Sequence, residues 1–214
     1  LPGTSSDLLP LFPLPNVVLF PNVFLPLHIF EPRYRDMVAD AIASDRLIGM
    51  VLLRPKWEGS YEGRPPVYPV GCSGVITHVE RLDDGRYNIV LRGLERFRIL
   101  SEEHSRRYRR AQVEPVLEAP QRPEDRDALR TLRSKLDALL APAVATSGAD
   151  PRTTAALADA DLVNALAQYL DLDPLEKQAL LELNSLRARA ESLVELLEMK
   201  ILIARTPGIS NVEH

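Results

Sequence analysis

The sequence predicts an α+β protein, with a β-rich half of small-barrel or strongly coiled mixed-sheet form followed by an all-α half of four helices. Three observations predict it. Residues 8–118 carry short apolar and alternating runs punctuated by Pro, Gly and Asp, the pattern of strands and tight turns. The charged, proline-containing linker EAPQRPED at 118–125 ends that pattern, and beyond it leucines recur at helical spacing. The expected organisation is a β-rich lobe over 8–118 and a helical lobe over 119–206.

Leu8–Leu14 reads as the first strand, whose prolines suit an edge or a bulged course. Asn16–Leu19 and Val23–Leu27 read as further extended pieces on either side of a bend at Pro21-Asn22. Pro32 follows Glu31 and fits a first helical turn, where its missing N–H costs nothing. Tyr34, Met37, Val38, Ala41 and Ile42 then continue at helical spacing to about Ser44. LIGMVLL at 47–53 is short and uniformly apolar, as a buried strand is. RPKWEGSYEGRPP is a loop that carries Trp57 and Tyr61. Residues 70–82 alternate, and Asp83-Asp84-Gly85 turns them into RYNIVLRG as a hairpin. Gly93 suits a bulge, and Phe97–Leu100 and Tyr108–Val116 complete at least six strands with one early helix.

In the second half, Leu129, Leu132, Leu136, Leu139 and Leu140 form one helical stripe. Leu157, Leu162, Val163, Leu166, Tyr169 and Leu170 form another, with 141–151 a loop between them. Asp173-Pro174 is an N-cap followed by proline at N1, and Ser185 caps a last helix that stops before Pro207.

The formal charge of −4 gives no reason to expect general affinity for nucleic acid or an anionic membrane. Cys72, the single cysteine, has no internal disulfide partner, so a reducing cytoplasm fits best. No apolar run reaches the roughly 20 residues that span a bilayer. Catalytic signatures are missing: there is no phosphate-cradling GxxxxGK[ST], no GxSxG elbow and no HExxH, and the histidines are scattered. We therefore expect no catalytic residue, no metal and no cofactor.

Three groups of residues are candidates for binding. RRYRR at 106–110 offers cations for phosphates and Tyr108 for base stacking. The preferred reading of that run is an exposed strand end, flanked by Glu102, Glu103 and Glu114, whose charges discourage edge-to-edge pairing. Trp57 and Tyr61, aromatics on a Gly/Pro-rich loop, are either anchors for a partner or plugs for the barrel end. His28, Glu31, Arg33 and Tyr34 could orient an extended peptide beside an apolar groove; structurally, Glu31 favours the helix N-terminus and Arg33 can pair with a carboxylate. The peptide-binding set is His28, Arg33, Tyr34, Trp57 and Tyr61.

LPLFPLPNVVLFPNVFLPLHIFEPRYRDMV strongly resembles the opening motif of the N-terminal substrate-recognition domain of Lon-type ATP-dependent proteases. Gly71-x-x-Gly74 with VITHVE, then RGLERFRI, resemble that family's next signatures, and LLELNSLRARAESLVELLEMKI its last helices. The resemblance covers essentially the whole chain. It implies a PUA-like barrel lobe followed by a helical bundle, and a non-enzymatic module that binds exposed apolar polypeptide segments or acts as an adaptor. Unfolded or extended polypeptides, and a protease or chaperone, are the partners implied, with RNA binding through 106–110 as the alternative. The ATPase and protease modules that follow this domain in Lon proteases are absent from the sequence, so a free-standing domain is expected over an excised piece.

Overall fold

Residues 8–60, 63–147 and 156–206 are described by a computed structural model. Its first strand, β1 (Leu9–Leu14), shows how a proline-rich segment enters a sheet. Leu11–Leu14 lie opposite Gly49–Leu52 of β3 (Leu47–Leu52), in parallel. Leu9–Leu11 lie opposite Ala111–Arg109 of β6 (Arg109–Pro115), antiparallel. The amide of Leu53 donates to the carbonyl of Leu14 (3.0 Å), so alternation along the strand turns Pro13 away from β3. On that other side the β6 ladder has already ended. By the same alternation Pro10 faces β3 before that ladder begins. Neither proline removes a ladder hydrogen bond, so β1 can lie between two partners.

The remaining strands are β2 (Phe24–Ile29), β4 (Val70–Arg81) and β5 (Tyr87–Glu103), with α1 (Pro32–Ile42) between β2 and β3. The six run in the order β2-β5-β4-β3-β1-β6, and β6 also pairs with β5. β5, β4, β3, β1 and β6 therefore close on themselves, and β2 is left as an extra strand along the first half of β5. The interior holds Leu9, Leu11, Val51, Phe97 and Ala111. A Cβ added to Gly49 would lie 2.7 Å from Leu9 and 2.9 Å from the Phe97 ring; one added to Gly71 would lie 2.8 Å from that ring and meet the Met50 carbonyl oxygen. These two glycines make the room that Phe97 fills.

Most predicted strands form. The Asp83-Asp84-Gly85 turn is present, with Gly85 at φ 80°. The two runs read as separate strands around Gly93 are one 17-residue strand, β5. It bends at a bulge, where Arg96 and Gly93 oppose Cys72 and Gly74. Gly93 has a further duty, because the Phe20 carbonyl oxygen occupies the place of a Cβ. The predicted extended piece at Asn16–Leu19 is not a strand. It belongs to an irregular run with Val18, Leu19, Phe20 and Val23 buried. The Pro21-Asn22 bend is there, Asn22 taking φ 61°.

Four helices follow among the described residues: α2 (Pro123–Ser147), α3 (Asp159–Tyr169), α4 (Pro174–Glu182) and α5 (Leu186–Arg205). α2 runs through Pro142 into the stretch read as a loop. The Ser185 hydroxyl accepts from the Ala188 amide (3.1 Å) as the predicted N-cap. Contacts group the chain into two units, residues 1–117 with 164–182, and 118–163 with 183–214. In the first, the irregular run at 16–23 is satisfied from α3: the Phe20 amide donates to Gln168 Oε1 (3.1 Å) and Asn164 Nδ2 donates to the Pro21 carbonyl (3.3 Å). Buried Arg96 of β5 donates to the Leu181 carbonyl of α4 (2.9 Å), and Gln178 Nε2 to that of Val70 (3.0 Å). In the second unit α2 packs on α5. There Arg189, buried among α5's inward residues, reaches Glu118 at 3.0 Å.

Candidate functional site

β2 is an edge, and its open side can be read from one bond. The Tyr169 hydroxyl donates to the Phe24 carbonyl (2.9 Å), and the Gly93 amide donates to that of Val23 (2.9 Å). Val23, Leu25, Leu27 and Ile29 thus turn their backbone groups to β5, while Phe24, Pro26 and His28 turn theirs outward. Pro26 has no N–H to expose, which is the position a proline tolerates in an edge strand. Among the described residues no strand lies beside the outward carbonyls of Pro26 and His28 or the outward amide of His28. Side chains on this edge are apolar and open: Phe24 is 50 % and Phe30 61 % exposed.

The face behind that edge carries a polar row across three strands. His28 lies opposite Asn88, and Asn88 opposite Glu80. His28 Nδ1 meets Asn88 Oδ1 at 2.7 Å, and Asn88 Nδ2 donates to Glu80 Oε2 at 2.7 Å. Arg86 Nη1 donates to His28 Nε2 (3.2 Å) while its Nε pairs with Asp84. A guanidinium only donates and the Asn88 oxygen only accepts, so the ring carries its proton on Nδ1. Beside the row, Pro26 and Val90 complete a shallow groove that includes His78.

A second concavity, of about 370 Å³, is lined by Pro13, Arg33, Tyr34, Leu53, Arg64 and Arg107, together with Gly63, Pro65, Tyr108 and Arg109. Arg33 sits 4.7 Å over the Tyr34 ring and bonds Glu31 Oε2 at 3.0 Å from both Nε and Nη2, which is the pairing expected for it. Tyr34 is only 4 % exposed and packs its ring on Phe12. Cys72 is wholly buried, which pushes its thiol up from the usual range.

The predicted set is therefore split. His28 belongs to the β2 edge, and Arg33 and Tyr34 to the arginine-rimmed concavity. Trp57, half-buried beside the turn Glu58–Ser60, lines neither, and Tyr61 lies outside the described residues. Sequence reading missed Phe24, Pro26, Phe30, Asn88, Glu80 and Arg64. The alternation of Phe24-Leu25-Pro26-Leu27-His28 was the available signal for the first two.

RRYRR is mostly consumed by the fold. Arg109 is buried, forks onto both Glu102 oxygens and donates to the Pro65 carbonyl (2.6 Å). Arg110 pairs with Glu103 at 2.7 Å. Ser105 and Arg110 together hold the Glu103 carboxyl down at about 2. Tyr108 is 3 % exposed; burial and its bond to Asp40 Oδ2 (2.7 Å) push its phenol up to about 12. It presents no face for base stacking. Only Arg106 and Arg107 of the run stay exposed, and they stand 3.6 Å from Asp40 and Asp36. No helix among the described residues is long and apolar enough to cross a membrane.

Residues 8–199 match the family model of the ATP-dependent protease La (LON) substrate-binding domain. A Lon protease 2 of Myxococcus xanthus is 28 % identical over 91 % of this chain, and a Lon protease 2 of Syntrophobacter fumaroxidans 30 % identical over 85 %. The chain spans about a quarter of the length of these relatives, 24 % and 23 %. The solved N-terminal domain of the Mycobacterium avium complex Lon protease shares the fold at a TM-score of 0.71 and 19 % identity, covering 90 % of this chain and 98 % of that one. A Lon N-terminal domain protein from Xanthomonas campestris does so at 0.58 and 24 % identity, covering 94 % of this chain and 99 % of that one. The family model covers most of the chain, and the fold agrees with it: the chain belongs to the Lon substrate-binding domain family.

Proposed function

We propose that the domain is a non-catalytic recognition module that holds extended, apolar polypeptide segments against the outer edge of β2. The single observation that carries this reading is the open edge itself. An added strand would bond the carbonyls of Pro26 and His28 and the His28 amide, and its apolar side chains would meet Phe24 and Phe30. Main-chain bonding accepts many sequences; exposed aromatics select for segments that a folded protein would keep buried. Such a site should bind in the micromolar range or more weakly, about −8 kcal/mol or less favourable. A protease or chaperone that receives the captured chain is the partner this reading implies, in a reducing cytoplasm where Cys72 stays a thiol.

The test is a titration with a reduced, alkylated and permanently unfolded protein. The wild-type domain binds it, and the double variant Phe24→Ser, Phe30→Ser binds at least about tenfold more weakly, a loss of about 1.4 kcal/mol. No detectable binding to the wild type overturns the reading, and an unchanged affinity in the double variant moves the site away from β2.

A further inference from the structure

The arginine-rimmed concavity has a charge imbalance that the β2 edge does not explain. Of its four guanidinium groups, Arg33 is held by Glu31 and Arg109 by Glu102. Arg107 is 73 % exposed and stands 3.6 Å from Asp36, a loose contact. Arg64 donates to the main-chain carbonyls of Glu103 (3.3 Å) and Arg106 (3.2 Å) and has no carboxylate partner among the described residues. Among the described residues one positive charge is therefore left over at the rim, in a protein whose formal charge is −4. The walls between the arginines are apolar or aromatic: Pro13, Leu53, Pro65 and the two tyrosines.

We infer that this concavity takes a carboxylate attached to an apolar side chain, and that Arg64, with Arg107, is its cationic anchor. The inference rests on the polypeptide-binding reading above and adds a specificity to it. A guanidinium presents donors in a fork that matches a carboxylate. Main-chain carbonyls hold Arg64 in place without neutralising it, so its charge is fixed in position before the ligand arrives. The volume, about 370 Å³, is larger than a bare carboxylate needs and leaves room for a neighbouring side chain. Ile29, the end of β2, is four residues from Arg33, so their Cα atoms are separated by no more than about 14 Å. A chain lying on the β2 edge can therefore reach the concavity within a few residues. Both a chain terminus and an acidic side chain carry the required group.

Three fluorescein-labelled octapeptides of Ser and Ala ending in Leu discriminate the sources: one with a free C-terminus, one amidated, and one amidated with Asp before the Leu. Each is titrated against the wild type, Arg64→Gln and Arg107→Gln. Arg107→Gln guards against a folding artefact, because that side chain makes only the contact with Asp36. The expected result is free-acid binding about tenfold tighter than the amide. Arg64→Gln should bring the acid down to the amide's affinity, and Arg107→Gln part of the way. Recovery by the Asp peptide assigns the site to any carboxylate, and no recovery assigns it to chain ends; either supports the inference. Equal affinities of acid and both amides for the wild type overturn it while leaving polypeptide binding intact. If no peptide binds and the unfolded protein also fails to bind, the parent reading falls with it.

Discussion

β5 is one strand with two different halves. From Phe97 onward it helps close the barrel, its ring set into the space left by Gly49 and Gly71, with β6 beside it. From Tyr87 to Arg92 it pairs with an edge strand, and the outer face carries His28, Asn88 and Glu80 beside exposed Phe24. The bulge at Gly93 separates them. The difference teaches that one element can serve two surroundings, a strand closed between barrel neighbours in one stretch and a support for an edge strand with an open side in the other. The closed half has barrel strands on both sides; the open half buries Ile89 and Leu91 on one face, and it is its partner β2 that keeps outward backbone groups available.

Perturbing one half should therefore leave the other's property intact. Phe97→Ala should have the largest effect, costing about 3–5 kcal/mol in denaturant unfolding by opening a cavity in the barrel. Val90→Ala, on the outer face of the first half, should cost about 1 kcal/mol or less. Gly71→Ala comes next, at about 1–3 kcal/mol, because the new methyl group would press on the Met50 carbonyl and the Phe97 ring. A pair of proline variants at neighbouring positions of β2 sharpens the comparison. His28→Pro removes an outward N–H, so polypeptide affinity should fall at least about fivefold while stability changes by about 1 kcal/mol or less. Leu27→Pro removes an N–H facing β5 and should lose stability in the same melts.

The smallest effect is a pH dependence at the far end of β5. The Glu103 carboxyl sits at about 2 in the folded chain against an ordinary 4.5, held down by Ser105 and Arg110. A depressed carboxylate contributes stability that is present above pH 4.5 and lost as pH falls toward about 2. Glu103→Gln should flatten that part of the acid-unfolding curve, followed by circular dichroism, lowering stability slightly at neutral pH and leaving it nearly unchanged near pH 2.

Much of the fold could be read from local pattern. The Pro32 helix start, the Gly85 turn, the Ser185 cap and the linker after residue 117 are each set by residues close in sequence. What could not be read depends on distant partners. Nothing local says that Val18, Leu19 and Phe20 are buried without forming a strand, because the Phe20 amide and Pro21 carbonyl are met by Gln168 and Asn164, more than 140 residues away. Pro10 and Pro13 pointed to an edge, yet β1 lies between two strands whose ladders stop where each proline needs them to. Tyr169 shares a helical stripe with Leu162, Val163 and Leu166, yet it is exposed and its hydroxyl donates to the Phe24 carbonyl. The candidate site was half legible. Charge and aromatic composition drew attention to His28, Arg33 and Tyr34, but composition cannot distinguish an edge strand from a central one, nor show that Arg64 has no carboxylate partner among the described residues.

Hydrogen–deuterium exchange of the domain with and without a saturating unfolded protein is the most direct test of the division between closed barrel and open edge. Binding should slow exchange at the outward His28 amide and the neighbouring Phe24 amide, and leave β5 from Phe97 onward unchanged. Slowed exchange confined to the barrel strands or to α5, with Phe24–Phe30 unaffected, would contradict it.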